Sequence, residues 1–315
     1  MTRILLTGGT GFIGVRLLSH LNKAGIEVIS LGRSPLRSTW MSNVDHRIVP
    51  ALRSEAIRAV LSATDNCDAI VHLAAAGVNP GDRDPRKLNE INAALPSDLV
   101  FLADDFGMKA VVMMGSSSEY ARCDSDLIAE DSSLETQKIY GATKAAGALA
   151  AVAAGVALNI TTVNLRTFNV IGPGEASHRL LPSLYDALRA GEAVPLSAGN
   201  QVRDFIHVDD ACRAVLTAVD AALADQLPSG HYNLCTGRGH SVREFASQVV
   251  TAMSMPASLL RFGELPLRAD DLPRVVGDPQ TFASYTGWHP EYSFNAAIEQ
   301  AVAELLSAKS AFAHD

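Results

Sequence analysis

Tyr140 and Lys144 stand four residues apart in Tyr140-Gly-Ala-Thr-Lys144. On a helix that spacing puts both side chains on one face. An ammonium beside a phenol lowers its usual pKa near 10, so the pair can move a proton to or from a hydroxyl or carbonyl near neutral pH. A second hydroxyl source, Ser116-Ser117-Ser118, follows the apolar run Ala110 to Met114 and therefore sits at the end of a strand, with Glu119 next in line. By itself a serine-rich stretch is an ordinary turn, so its meaning depends on what surrounds it.

The element that must serve this chemistry comes first in the chain. Ile4-Leu5-Leu6-Thr7-Gly8-Gly9-Thr10-Gly11-Phe12-Ile13-Gly14 reads as a strand, a glycine turn and the opening of a helix. The first glycine permits the tight turn, the second lets backbone approach a pyrophosphate, and the third lets helix pack on strand. Unpaired N–H groups at the helix start then face the anion. Gly8, Thr10, Gly11, Phe12, Ile13 and Gly14 are thus the expected pyrophosphate end of a dinucleotide site. At the end of the second strand, where an NAD site offers a carboxylate to the ribose 2′-hydroxyl, the chain has Leu31-Gly32-Arg33-Ser34. Arg33 can pair with a 2′-phosphate and Ser34 can hydrogen-bond it. NADP(H) is the favoured cofactor, with NAD(H) the alternative.

Strand candidates run from Arg3 to Thr7, Glu27 to Leu31, Arg47 to Pro50, Ala69 to Leu73, Ala110 to Met114 and Asn159 to Leu165, alternating with helical patterns that include Asn89 to Phe106 and Gly141 to Ala154. This alternation predicts an α/β fold, a Rossmann-type doubly wound parallel sheet. Residues 1–165 are expected to form the dinucleotide domain, with 195–226 returning to it, and residues 166–194 and 227–315 a smaller α/β substrate domain over the carboxyl edge of the sheet. In the latter, helices are expected at Leu180 to Ala190, Val242 to Met253 and Phe294 to Ala308, and a strand at Tyr232 to Leu234.

The 315 residues carry a net charge of -8 and four widely spaced cysteines. That balance argues against a nucleic-acid partner, which needs clustered cations, and the cysteine spacing gives no support for a metal site. The apolar stretch before the glycines is too short for a signal or membrane segment, so a cytoplasmic protein without a membrane partner is expected.

Together the Tyr140–Lys144 pair, the serine cluster, the glycine turn and Asp68-Ala-Ile-Val-His-Leu-Ala-Ala75 resemble the short-chain dehydrogenase/reductase superfamily in its extended branch, which modifies sugar nucleotides. Arg166-Thr-Phe-Asn169-Val-Ile-Gly-Pro-Gly174, Gln201-Val-Arg203-Asp-Phe-Ile-His-Val-Asp209-Asp210 and Arg268-Ala-Asp-Asp-Leu-Pro-Arg-Val-Val-Gly-Asp278 extend the likeness through most of the chain. The resemblance implies Tyr140 as proton donor, Ser116 beside the reacting oxygen with Ser117 as the alternative hydroxyl on the substrate side, and Lys144 on the nicotinamide ribose. Leu73, Ala74 and Ala75 would line the cofactor. Arg203 and Arg268 would hold the substrate's diphosphate, and Asn169 would lie near its sugar. Glu119 is either an acid or base, as in members that eliminate water, or a solvated carboxylate. Ala51-Leu52 replaces the Asp that commonly meets adenine. Net reduction of a nucleotide-linked 4-keto-6-deoxy hexose is the expected activity, with 4-epimerisation, 4,6-dehydration and a non-catalytic dinucleotide sensor as alternatives. The sensor would be expected to lack the Tyr or the Lys. A homodimer through the helices at Asn89 to Phe106 and Gly141 to Ala154 is also implied.

Overall fold

The computed structural model describes residues 2–36, 41–64, 66–268 and 271–311. The first half runs β1 (Arg3–Thr7), α1 (Phe12–Lys23), β2 (Glu27–Gly32), β3 (Val44–Ile48), α2 (Ser54–Leu61), β4 (Ala69–His72), α3 (Pro85–Leu88), α4 (Leu95–Asp105), β5 (Ala110–Met114), α5 (Ile139–Leu158) and β6 (Thr161–Thr167). The second half continues through β7 (Asn169–Ile171), α6 (Leu180–Arg189), β8 (Val194–Leu196), β9 (Val202–His207), α7 (Val208–Leu223), β10 (Gly230–Leu234) and β11 (Gly239–Ser241). It closes with α8 (Val242–Ala252), β12 (Leu260–Phe262), β13 (Arg274–Val275), α9 (Gln280–Thr286) and α10 (Phe294–Ala311).

Seven strands form one sheet in the order β10-β6-β5-β4-β1-β2-β3, and every neighbouring pair is parallel. This is the Rossmann-type arrangement. Successive side chains of a strand leave on opposite faces, and both faces are covered: Ile4 and Leu6 pack with Leu17, Leu18 and Leu21 of α1 and with α7, while Leu5 and Ile70 pack with Ile57 of α2 and Leu99 of α4. Burial on both faces is why the strands read as unbroken apolar runs. The chain crosses from one side of β1 to the other in the connection from β3 to β4, and such a reversal opens a crevice at the carboxyl ends of the strands, between β1 and β4.

Several boundaries differ from the sequence reading. Asn159, expected to start β6, instead caps α5 in the left-handed conformation at φ 57°, which Asn tolerates because its short polar side chain hydrogen-bonds locally. β3 begins three residues before the expected Arg47. The helix expected over Asn89 to Phe106 is preceded by α3 and widens into a π-helical turn at Asn89–Ala94 before α4. α5 is longer at both ends than expected. It is also apolar enough, by length and composition, to cross a membrane, yet Ala151 lies in the core beneath the sheet and Lys144 is buried at its start.

The smaller unit is built on a four-stranded sheet in which β9 is flanked by β11, β13 and β7. Its core joins Leu181 and Leu184 of α6, Phe245 and Val249 of α8, and Ile298 and Val302 of α10. The division of the chain differs from the expected one in two places. From 195–226 only α7 lies on the large sheet, because β8 pairs with β12 and β9 belongs to the smaller sheet. Conversely β10, within the expected substrate segment, is the seventh strand of the large sheet, paired with β6.

Candidate active site

The glycine turn is shaped by atoms that are absent. Gly8 has φ +80°, and a Cβ there would lie 2.6 Å from the Ala74 nitrogen, so the turn rests directly on the Leu73–Ala74 backbone. A Cβ on Gly14 would lie 2.1 Å from the Gly8 carbonyl oxygen. The turn is closed by the Gly11 amide donating to that carbonyl at 3.0 Å. At the start of α1, Gly11 supplies no side-chain cap and the first turn holds no acidic residue. Its free N–H groups and the positive end of the helix dipole therefore face the crevice, a cradle suited to a pyrophosphate. A dinucleotide fits this cradle.

At the end of β2, Arg33 and Ser34 are both exposed. Sequence reasoning missed His46, which reaches across from β3: its ring contacts the Ser30 hydroxyl at 3.1 Å and the Ser34 carbonyl oxygen at 2.9 Å. This bracket fixes the loop that carries Arg33. Ala51 and Leu52 follow β3, with Leu52 buried in the core.

The hydroxyl pair forms where β5 ends and α5 begins. Ser116 caps a short turn over Ser117–Glu119, accepting from the Ser118 amide at 3.1 Å, and its hydroxyl is hydrogen-bonded to Tyr140. α5 approaches this turn so closely that a Cβ on Gly141 would stand 2.0 Å from the Ser118 carbonyl oxygen. Burial pushes the Tyr140 phenol above its usual pKa; the Ser116 bond opposes this, the Glu119 charge adds to it, and Arg83 and Arg179 oppose it. The expected depression by Lys144 is not what the geometry gives. The Lys144 ammonium is buried and donates to the Met114 carbonyl oxygen at 2.7 Å, and its burial holds its own pKa down, against the attraction of Glu119. Below it, His72 is locked to the Thr7 hydroxyl at 2.7 Å, and burial together with the Lys144 charge holds it neutral, with a pKa near 3. His207 is fully buried in β9, its ring against that of Tyr292. Asn92 holds the loop after β4, accepting from the Ala76 amide at 2.9 Å and donating to the Ala76 carbonyl at 3.0 Å.

Glu119 is fully buried, not solvated. Its carboxylate accepts from the Ser116 amide at 2.9 Å, from Asn164 at 3.0 Å and from the Arg166 guanidinium at 2.9 Å. Arg166 in turn donates to the Tyr120 hydroxyl at 3.1 Å and to the Glu130 carbonyl oxygen at 2.8 Å. An arginine in a strand buried on both faces needs a buried anion to face it, a pairing the sequence reading left unused.

On the other wall, Asn169 opens β7, half-buried beside Phe205. Arg203 is ion-paired with Asp271 and donates to the Val202 carbonyl at 2.8 Å, while the adjacent Asp204 is taken up by Thr236 and Gly237. Arg268 is exposed, and its carbonyl oxygen accepts from the Asp271 amide at 3.1 Å. Asp271 thus links the Arg203 side chain to the Arg268 backbone. Ala269 and Asp270 of this segment lie outside the described residues.

A dinucleotide cradle with Ser, Tyr and Lys grouped at the carboxyl edge of a parallel sheet defines an enzyme of the extended short-chain dehydrogenase/reductase type. The chain belongs to the NAD dependent epimerase/dehydratase family, whose pattern matches residues 4–235, and it is an enzyme of that family. It is similar to CDP-abequose synthase of Salmonella typhimurium, 26% identical with 96% of this chain and 98% of that protein covered. GDP-6-deoxy-D-talose 4-dehydrogenase of Aggregatibacter actinomycetemcomitans is 27% identical, with 90% and 91% covered. Among solved structures, MoeE5 in complex with UDP-glucose and NAD is 25% identical, with a TM-score of 0.84 and 98% and 99% covered.

Proposed function

We propose that the enzyme reduces the 4-keto group of a nucleotide-linked 4-keto-6-deoxy hexose, with NADPH as the external reductant. The observation that carries this reading is the pairing of Tyr140 with Ser116 above a fully buried Glu119 that is bonded to Arg166, Asn164 and the Ser116 amide. A hydroxyl pair of this kind passes a proton to a carbonyl oxygen, which is all that ketone reduction asks of the protein. Dehydration needs in addition an acid or base that reaches a neighbouring carbon, and Glu119 is fully buried and held by three donors, the Arg166 guanidinium among them. The similar talose enzyme is named for redox chemistry at position 4.

In this reading Ser116 orients the substrate oxygen and Tyr140 delivers its proton. Lys144, buried beside them, would hold the nicotinamide ribose, and Gly8, Thr10, Gly11, Phe12, Ile13 and Gly14 the pyrophosphate, with Leu73, Ala74 and Ala75 along the ring. A bound nicotinamide dinucleotide supplies the hydride. Arg33 and Ser34 favour the 2′-phosphate of NADP(H), since no carboxylate at the end of β2 contests it. Arg203 and Arg268 would take the substrate diphosphate, guanidinium matching phosphate oxygens in pairs, and Ser117 and Asn169 would flank the sugar. Phe101 on α4 and Leu149 and Val156 on α5 are exposed apolar side chains, which supports a homodimer through these two helices.

The test is incubation with NADPH and nucleotide-linked 4-keto-6-deoxy hexoses. The expected result is one NADPH oxidised per sugar reduced, with Tyr140→Phe slowing turnover about 10²- to 10⁴-fold, the scale of a lost general acid. Conversion of a UDP-hexose to its 4-epimer with no cofactor added would overturn the assignment.

A further inference from the structure

The loop between β4 and α3 places a cation on the proton donor. The Arg83 guanidinium lies 5.3 Å from the centroid of the Tyr140 ring, and its Nε donates to the Gly77 carbonyl oxygen at 3.3 Å. Its backbone is held on both sides. Before it, the Asp82 amide donates to the Asn79 carbonyl oxygen at 2.9 Å and the Gly81 amide to the Asn79 side chain at 3.0 Å. After it, Asp84 caps α3 by accepting from the Arg86 amide at 3.0 Å. The acids nearest in sequence are occupied, because Asp82 pairs with Lys87 at 3.0 Å and Asp84 serves the cap. Among the described residues no carboxylate pairs with Arg83, whose exposed guanidinium carries its charge over the face of the phenol. Lys144, the cation expected to do this, points to the Met114 carbonyl instead.

We propose that Arg83 is a positioning residue for the proton donor: its guanidinium seats the Tyr140 ring against Ser116 and keeps positive charge beside the phenol. A cation over an aromatic face is attracted by the ring's negative quadrupole, and the attraction grows when the ring carries the phenolate charge. Other groups face Tyr140 as well. Lys144 shares its helix, Glu119 lies under the Ser116 turn, Arg179 stands at the start of α6, and His72 sits beneath Lys144. Glu135, just ahead of α5, is turned to the Gln137 and Lys138 amides. Arg83 differs from these in lying over the ring itself.

This inference rests on Tyr140 as proton donor, so its test is independent of turnover. Ionisation of Tyr140 is followed without substrate by the Cζ resonance of ¹³C-tyrosine-labelled protein, with Tyr140→Phe assigning the signal. Removing a cation disfavours the phenolate, so Arg83→Gln should raise the midpoint by roughly half a pH unit, the scale of an exposed cation–π contact. Arg83→Lys, which keeps the charge, should restore most of that shift. The alkaline limb of kcat/KM for reduction should move upward with it. A midpoint in Arg83→Gln within about 0.1 pH unit of the wild-type value, or an Arg83→Lys midpoint equal to that of Arg83→Gln, would overturn the proposal. Absence of any 4-keto reduction by the wild-type enzyme would instead overturn the proposed reaction and leave the titration to decide Arg83.

Discussion

Around Gly8 and Gly14 the cleft is shaped by side chains that are missing, whereas beneath Ser116 it is shaped by charges that are fully buried. The first region accepts no added atom, since a Cβ on Gly14 would fall 2.1 Å from a backbone oxygen. The second accepts no lost partner, since Glu119 and Arg166 have relative side-chain exposures of 0% and 2%. Both hold a reactive group in place, but one does so through covalent geometry within a single turn and the other through an ion pair spanning two strand ends. Their weaknesses should therefore be opposite.

The largest effect should come from the ion pair. Arg166→Met leaves a buried carboxylate without its cation and should cost about 3–5 kcal/mol of stability, read from denaturant unfolding. Replacing Glu119 by Gln in the same chain should recover part of it, and full stability in the single variant would remove the distinction between the two regions. Next comes Gly14→Ala. Alanine favours a helix over glycine by about 1 kcal/mol, but the clash with the Gly8 carbonyl must move backbone, and overpacking of that kind costs about 1–3 kcal/mol. The clash should win, giving a lower Tm and weakened dinucleotide binding by calorimetry. A higher Tm would mean that the turn is looser than its contacts.

Glu175, in the loop after β7, sharpens the comparison through pH. It accepts from the Gly172 amide at 3.0 Å and faces Arg179 at 3.8 Å, yet burial pushes its carboxyl up to about 7. A carboxyl raised in the folded state favours folding while protonated, so its contribution is present below the unfolded value near 4.3 and is lost as pH rises toward 7. Between pH 5 and 8 the wild-type protein should lose up to about 3 kcal/mol relative to Glu175→Gln. Parallel stability curves for the two proteins would contradict this. The smallest effect is expected at the cofactor's far end, where Arg33→Ala should weaken NADPH binding about tenfold, near 1.4 kcal/mol, and leave NADH unchanged. Equal losses for both cofactors would show that Arg33 does not read the 2′-phosphate.

What was legible in the sequence follows the same division. The glycine turn, the Tyr140–Lys144 spacing and the alternating elements are local, and each carries its physics within a dozen residues. Glu119 and Arg166 are 47 positions apart, so their union is invisible until β5 and β6 pair, and Glu119 read equally well as catalytic or solvated. Arg83 sits in a polar stretch, Asn79-Pro-Gly-Asp-Arg-Asp-Pro85, that reads as an ordinary surface loop. The Lys144 contact with Met114 also depends on the meeting of α5 with β5. Spacing told which face Lys144 occupies but not what it touches.

The position of β10 bears on how the chain is made. Its partner β6 is complete at Thr167, but β10 begins only at Gly230, after several pieces of the smaller unit. At ribosomal speeds of about 5–20 residues per second, the outer edge of β6 waits roughly 3 to 13 s without its partner. During that interval the nascent sheet offers a template to any other extended chain. Closing the sheet is thus a late event in biosynthesis, and substitutions that delay β10 should reduce soluble yield before they alter the folded enzyme.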